Sequence, residues 1–502
     1  MTFETLNESY DLVVIGAGPA GKRGAIQAAK AGKSVLLVDK GRKLGGVCVH
    51  TGTVPSKTLR ETVLNLSGWR ERGFYGRSYK VKHDICAEDL QDRLKKTVAH
   101  EVEILDNQYI RNGVKTVTGH AKFVADHTIS ITNEEGEVKC VDFCKILLAV
   151  GTKPFRPDYI PFDGQRVLDT DEILGMDVLP KSLIIIGAGV IGVEYATIFN
   201  ALDIPVTLIE PRETILDFID KEIVDEFLHD LRSRGIKLSF GRRAVQVKST
   251  PTQSYVKLED GQVYQSDVIL FAAGRVAATR NLGLDICGLE VDHRGRLSVN
   301  RQSFQTQKLD IYAAGDVVGF PSLASTSMEQ GRIAACHAFN IQMASPPDYF
   351  PYGIYAVPEI SMIGLTEQEL RAKKIPYQCG IARFCETSRG QIMGVDSGMM
   401  KMIFSLETQH LLGVHILGEG ATELIHIGQA VLNLGGKLDF FINNIFNYPT
   451  LAEAYKIAAL DAWNKMQAVS MENVIEATPQ FHSADPISPL NFLSDKDANR
   501  AG

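Results

Sequence analysis

The chain has 502 residues, of which 45% are hydrophobic and 23% charged, and carries a formal net charge of −7. That length accommodates about three domains and a large core. The mild acidity, with no basic block or Arg-rich stripe, argues against nucleic acid or an anionic membrane as partner. No uncharged apolar run is long enough to cross a bilayer, and the opening MTFETLNESYD lacks the basic and apolar regions of a secretory signal. The eight cysteines are scattered, with no C-x-x-C pair and no metal-ligand spacing. They fit a reducing cytoplasm and predict no bound metal.

In chain order, Asp11 to Lys40 reads as an apolar strand, a G-x-G-x-x-G turn (Gly16, Gly18, Gly21), an alanine-rich helix and a second strand ending in Asp39. In such a unit the first glycine allows the sharp turn, the second lets backbone approach a pyrophosphate, and the third lets helix pack on strand. The helix N-terminus offers free N–H groups to the phosphates, and the acid can accept hydrogen bonds from a ribose. Next comes GGVCVHTGTVPSK, Gly45 to Lys57. In a redox loop of this shape a cysteine at position 53 would close a disulfide with Cys48, but Thr53 stands there. The strand ILLAVGTKP runs to Gly151. Ser182 to Pro211 then repeats the first unit with Gly187, Gly189 and Gly192, and Glu210 follows Gly187 at the interval that separates Gly16 from Asp39. Two copies with matching acids predict two dinucleotide sites. VILFAAGRV ends a further strand at Gly274, and DIYAAGDVV places Asp316 after a strand and Gly315, where it can bond a polyol or phosphate. Ser322 to Ser325 precede a helical stretch, Met328 to Ala335, whose N-terminus can stabilise negative charge on a nearby ring system.

From about Tyr10 to about Asn464 these motifs resemble the pyridine nucleotide–disulfide oxidoreductases, a family of flavoproteins. The resemblance implies an α/β fold with two Rossmann-like domains, for FAD and NAD(P), and a C-terminal α+β dimerisation domain. Its boundaries fall at 1–155 and 279–350 for the two parts of the FAD domain, 156–278 for the NAD(P) domain and 351–466 for the dimer interface. Residues 467–502 form an extension expected to be mobile or draped on the dimer. By the same likeness FAD is held by Gly16, Gly18, Gly21, Asp39 and Lys40, by Gly45, Gly46, Cys48 and Lys57 of the loop, by a turn at Gly119 to Ala121 that meets the adenine, and by Gly151. Gly315 and Asp316, on the ribityl chain, and Leu323, Ala324 and Ser325 complete that set. The nicotinamide nucleotides NAD(H) and NADP(H) fall to Gly187, Gly189, Gly192, Glu194, Glu210, Arg212 and Gly274. Lys57 and Glu194 match a catalytic ion pair beside flavin N5.

The departures from the family carry the functional expectation. Thr53 replaces the flavin-side cysteine, and in FNYPTLAEAY, Tyr448 replaces the histidine that acts as base, while Glu453 remains. Both halves of the dithiol machinery are missing together, with every nucleotide motif intact. The pattern resembles those family members that move hydride between NADPH and NAD through FAD, as homodimers or higher homo-oligomers. Alternatives are a diaphorase or oxidase with a quinone or oxygen as acceptor, a nucleotide-occupied redox sensor, and, weakest, a disulfide reductase. Glu210 suits the 2′-OH of NAD, and Arg212 reads equally as a 2′-phosphate partner or a solvated charge. Cys48 reads as a small residue packed under the flavin, and His426 as a hydrogen-bonded core or interface residue.

Overall fold

The computed structural model describes residues 8–41, 43–343 and 349–477. Strand Ser9–Ile15 lies at the centre of the first sheet, parallel to Val35–Asp39 on one side and to Val138–Leu148 on the other. Leu12, Val13 and Val14 are all buried, the continuous apolar run of a parallel strand covered on both faces. Lys115–Thr118 extends the sheet at one edge. Ile311–Ala313, more than a hundred and fifty residues from its partner, pairs parallel with the end of Val138–Leu148. The late segment thereby returns to the first sheet. Helix Pro19–Lys30 crosses helix Ala324–Ala338 so closely that a Cβ on Gly331 would lie 2.0 Å from the Ala20 carbonyl oxygen.

Ala121 differs from its expected place in a turn. It lies in strand His120–Ala125, paired with Ile131, and its side chain is in the core. The turn is confined to Gly119, whose N–H reaches the Asp39 carbonyl at 2.8 Å. Alternation of buried and exposed residues along this strand explains the difference, since a half-buried antiparallel strand needs no turn chemistry.

The second sheet has five parallel strands in the order Lys237–Phe240, Val206–Glu210, Leu183–Ile186, Val268–Phe271 and Val167–Asp169. A two-stranded antiparallel ribbon, Thr152–Pro154 with Arg275–Ala277, carries the chain out of the first sheet and back from the second. The last sheet is antiparallel, in the order Tyr352–Ile354, Ile360–Gly364, Leu411–Leu417, Met399–Ser405 and Tyr377–Arg383. Helix Glu453–Ala477 packs against it and continues beyond the boundary drawn at residue 466. The rest of the expected extension, 478–502, lies outside the described residues.

A buried ion cluster fastens the second and third units together. Lys401, fully buried on strand Met399–Ser405, donates to Asp220 at 2.9 Å and Glu367 at 2.7 Å, and lies 2.9 Å from Glu222. Burial pushes the Asp220 carboxyl up, but its neighbours His415 and Lys401 prevail and hold it below its ordinary value. Burial also lowers the pKa of His415, which pairs with Lys401 across the two strands. At pH 7 the imidazole is neutral and the Lys401 ammonium is the charge facing Asp220, and the His415 charge adds to it where the imidazole is protonated.

Candidate active site

The two glycine turns are near copies. Gly16 and Gly187 both adopt φ +105°, which only glycine takes without strain. A Cβ on Gly21 would lie 1.8 Å from the Gly16 carbonyl oxygen, and one on Gly192 would lie 1.9 Å from that of Gly187. Gly18 and Gly189 differ: a Cβ there meets no atom within 4 Å. Each is the N-cap of its helix, and neither helix start is capped by a side chain. Free N–H groups facing open space are what a pyrophosphate requires, so these residues fit two dinucleotides. Gly46 adds to the first cradle, its Cβ position only 3.0 Å from the Gly18 Cα.

This contrast between glycines gives an expected result. Gly18→Val should fold like the wild type yet carry no flavin absorbance, whereas Gly21→Ala should fail to fold, because its methyl collides with backbone. Far-ultraviolet circular dichroism and FAD content together check both. A yellow Gly18→Val protein would contradict the cradle.

The strand-end carboxylates first serve the turns themselves. Asp39 accepts from the N–H of Ala17 at 2.6 Å and of Gly41 at 2.8 Å, and Glu210 accepts from Ala188 N–H at 2.8 Å. Each oxygen retains a second lone pair for a ribose hydroxyl. Arg212 is half engaged: its Nε donates to Glu210 at 2.9 Å, and its Nη1 lies 3.5 Å from Asp217. Lys40 and Gly274 are exposed, and Gly151 and Gly274 have positive φ, at the two entrances to the ribbon.

Lys57 and Glu194 meet between the first two units. The Lys57 ammonium donates to both Glu194 oxygens, at 3.0 and 2.9 Å, and to Ser56 Oγ at 3.3 Å. Glu194 is 5% exposed and Lys57 26%. Helix Thr53–Leu66 supplies the lysine, and helix Val190–Ala201, which opens at the second glycine turn, supplies the acid.

Cys48 sits half-buried in the short helix Gly46–His50, near Thr53. Burial pushes its thiol up, so it is protonated at neutral pH. All eight cysteines are free. Tyr448 is exposed and shares a 2.5 Å hydrogen bond with Ser388 Oγ. Glu453 Oε2 is buried without a partner among the described residues. His426 is exposed on its helix, bonded to Gln429 at 2.7 Å, so it is not a core residue.

Asp316 follows Gly315, which has φ +84°. Burial pushes its carboxyl up, opposed by the Arg275 charge and by hydrogen bonds to Thr152 and Ser327. The helix near it starts earlier than the sequence indicated, at Ala324, with Leu323 as N-cap, no capping side chain, and Ser325 in its first turn. Several contributors carried no motif. Gln330 accepts from Gly315 N–H at 2.8 Å, and Arg275 ties Thr152 at 2.9 Å to Asp171 at 2.8 Å. Tyr352, pushed up to about 12 by burial and then by Glu194 and Asp316, stands near both carboxylates. Only the arginine beside Gly274 could have been suspected from sequence.

Comparison with known proteins agrees with this geometry. Residues 10–331 match the pyridine nucleotide-disulphide oxidoreductase family and residues 350–459 match its dimerisation domain. The chain is 47% identical to a soluble pyridine nucleotide transhydrogenase of Mycobacterium bovis over 462 residues, covering 92% of this chain and 98% of that protein. A protein of the same name from Colwellia psychrerythraea is 40% identical over 91% of this chain and 98% of its own length. Among solved structures, LpdA from Mycobacterium tuberculosis superposes with TM-score 0.82 at 25% identity, covering 89% of this chain and 99% of that one. The flavoprotein disulfide reductase RclA from Escherichia coli gives TM-score 0.80 at 25% identity, over 90% and 99%. No helix among the described residues is long and apolar enough to cross a membrane.

Proposed function

We propose that this chain, which belongs to the pyridine nucleotide-disulphide oxidoreductase family, is a flavoprotein transhydrogenase that moves hydride between NADPH and NAD. One observation carries the reading: the Lys57–Glu194 ion pair is complete, while Cys48 is a half-buried free thiol with no second cysteine to pair with. The names of the relatives at 47% and 40% identity support it.

In this reading FAD, when bound, is the two-electron carrier that accepts one hydride from a nicotinamide ring and yields it to another. The Gly16, Gly18 and Gly21 turn and its uncapped helix hold the pyrophosphate, with Asp39 on the ribose and Asp316 on the ribityl hydroxyls. Leu323, Ala324 and Ser325 present a second uncapped helix start, which favours negative charge nearby. The Gly187, Gly189 and Gly192 turn receives either nicotinamide nucleotide, Glu210 takes the ribose 2′-OH of NAD, and the free Nη2 side of Arg212 takes the 2′-phosphate of NADP. Lys57, oriented by Glu194, supplies fixed positive charge where hydride arrives. Cys48 has no thiolate to offer, and Tyr448 no base. The protein works as a homodimer through residues 351–466, whose Leu434 and Ile445 are 86% and 89% exposed in the single chain.

With one NAD(P) unit per chain, donor and acceptor take turns. Initial rates at several fixed NAD concentrations should give parallel double-reciprocal lines, the pattern of a substituted-enzyme cycle. Lines that intersect would rule this scheme out. Cys48→Ser should leave NADPH-to-NAD turnover at the wild-type rate with FAD still bound. Abolished turnover in that yellow variant would mean the thiol takes part.

A further inference from the structure

The third unit sends one strand end into the crevice between the helices that carry the ion pair. There, Tyr355 N–H donates to Glu194 Oε1 at 2.9 Å. One residue on, the Ala356 carbonyl accepts from Arg60 Nε at 3.0 Å, and Val357 N–H then donates to Thr197 Oγ1 at 2.9 Å. Arg60 lies one helical turn after Lys57, and Thr197 one turn after Glu194, so three consecutive residues stitch both helices. Arg60 and Thr197 are buried, which fixes the segment.

Tyr355 does more than stitch. The Lys57 ammonium lies over its ring, 4.8 Å from the centroid. An aromatic face carries negative charge density and attracts an ammonium at this range. Lys57 is therefore fixed by Glu194 and Ser56 on its hydrogen-bonding sides and by the Tyr355 ring on another.

We propose that Tyr355 is a positioning residue for hydride transfer, its ring fixing the Lys57 ammonium while its backbone N–H fixes Glu194, so that the third unit completes the site built by the first two. The proposal rests on the transhydrogenase reading for the identity of the reaction, and on the geometry alone for the link between Tyr355 and Lys57.

The experiment compares Tyr355→Leu with Tyr355→Phe in the FAD-loaded protein. Three quantities are read: FAD content, the anaerobic rate at which NADPH bleaches the flavin, and the extent to which acetic anhydride acetylates Lys57, by peptide mass spectrometry without nicotinamide nucleotide. Tyr355→Leu should bleach about tenfold more slowly and acetylate more at Lys57, with FAD content unchanged. Tyr355→Phe keeps the ring and should restore both quantities. A leucine variant with wild-type bleaching and labelling would overturn the proposal, and so would a phenylalanine variant as slow as leucine. Should the leucine variant not fold, Tyr355→Met, which fills the volume without a π face, takes its place with the same expectations. If NADPH bleaches the wild-type flavin but NAD does not restore it, the transhydrogenase reading fails, while the bleaching and labelling comparisons still decide the role of Tyr355.

Discussion

Lys57→Met should lower the rate of flavin reduction by NADPH about a hundredfold or more while FAD content stays unchanged. Preorganised charge at a reacting centre is worth about 2.7–4 kcal/mol where it has been removed elsewhere. Here the ammonium is held by two carboxylate oxygens within 3.0 Å and by an aromatic ring, so little reorganisation accompanies its action. The substitution also leaves Glu194, 5% exposed, with only the Tyr355 N–H as partner among the described residues. Double replacement with Glu194→Gln should recover some stability and none of the rate, because the charge is still gone. Rapid mixing of NADPH with each variant measures the effect. An unchanged rate constant would mean that the pair only joins the two helices.

The second large effect concerns stability. Lys401→Met should cost about 3–5 kcal/mol at neutral pH, the usual penalty for stranding buried charge. Asp220 is fully buried, and the ammonium that it shares with Glu222 and Glu367 would be missing. In the wild type the depressed pKa of Asp220 contributes stability above the ordinary value of 3.8, lost as pH falls through the folded value. His415 acts in the same direction at higher pH, its contribution present above 6.5 and lost below it. Both proteins carry the His415 effect. In the variant the Asp220 carboxyl titrates upward instead, so protonation relieves the stranded charge. The gap between wild-type and variant urea midpoints should thus be widest near pH 7 and narrow toward pH 4. Equal midpoints at pH 7 would show that the cluster does not bind the second and third units together.

What the sequence revealed and what it concealed divide along physical lines. The glycine turns were legible because each glycine answers to a local backbone demand, a positive φ at Gly16 or a carbonyl 1.8 Å away at Gly21. Lys57 and Glu194 came from family likeness, since no local rule joins positions so far apart in the chain. Tyr355 was invisible for the same reason: its partners sit on helices of two other units, and its own segment carries no motif. Lys401, in the run MMKMIFS, raised no expectation, because its partners Asp220 and Glu367 lie far from it in the chain and could not be assigned to it without coordinates. Asp39 and Glu210 were expected to accept from a ribose. Their bonds to Ala17 and Ala188 show that they also shape the turns, which the strand-end spacing allows but does not specify.

The account stands on hydride passing from one nicotinamide nucleotide to the other without a disulfide. Anaerobic stopped-flow with the FAD-loaded protein tests this most directly: mix with one equivalent of NADPH, then with excess NAD, and follow flavin absorbance from near-ultraviolet to long wavelength. The expected result is bleaching with no long-wavelength thiolate charge-transfer band, because Thr53 supplies no thiolate and Cys48 is held protonated. Full recovery should follow with NAD, each phase at least as fast as turnover. A flavin that NADPH does not bleach, or one that stays bleached with NAD yet recovers quickly with a quinone or oxygen, would contradict the account.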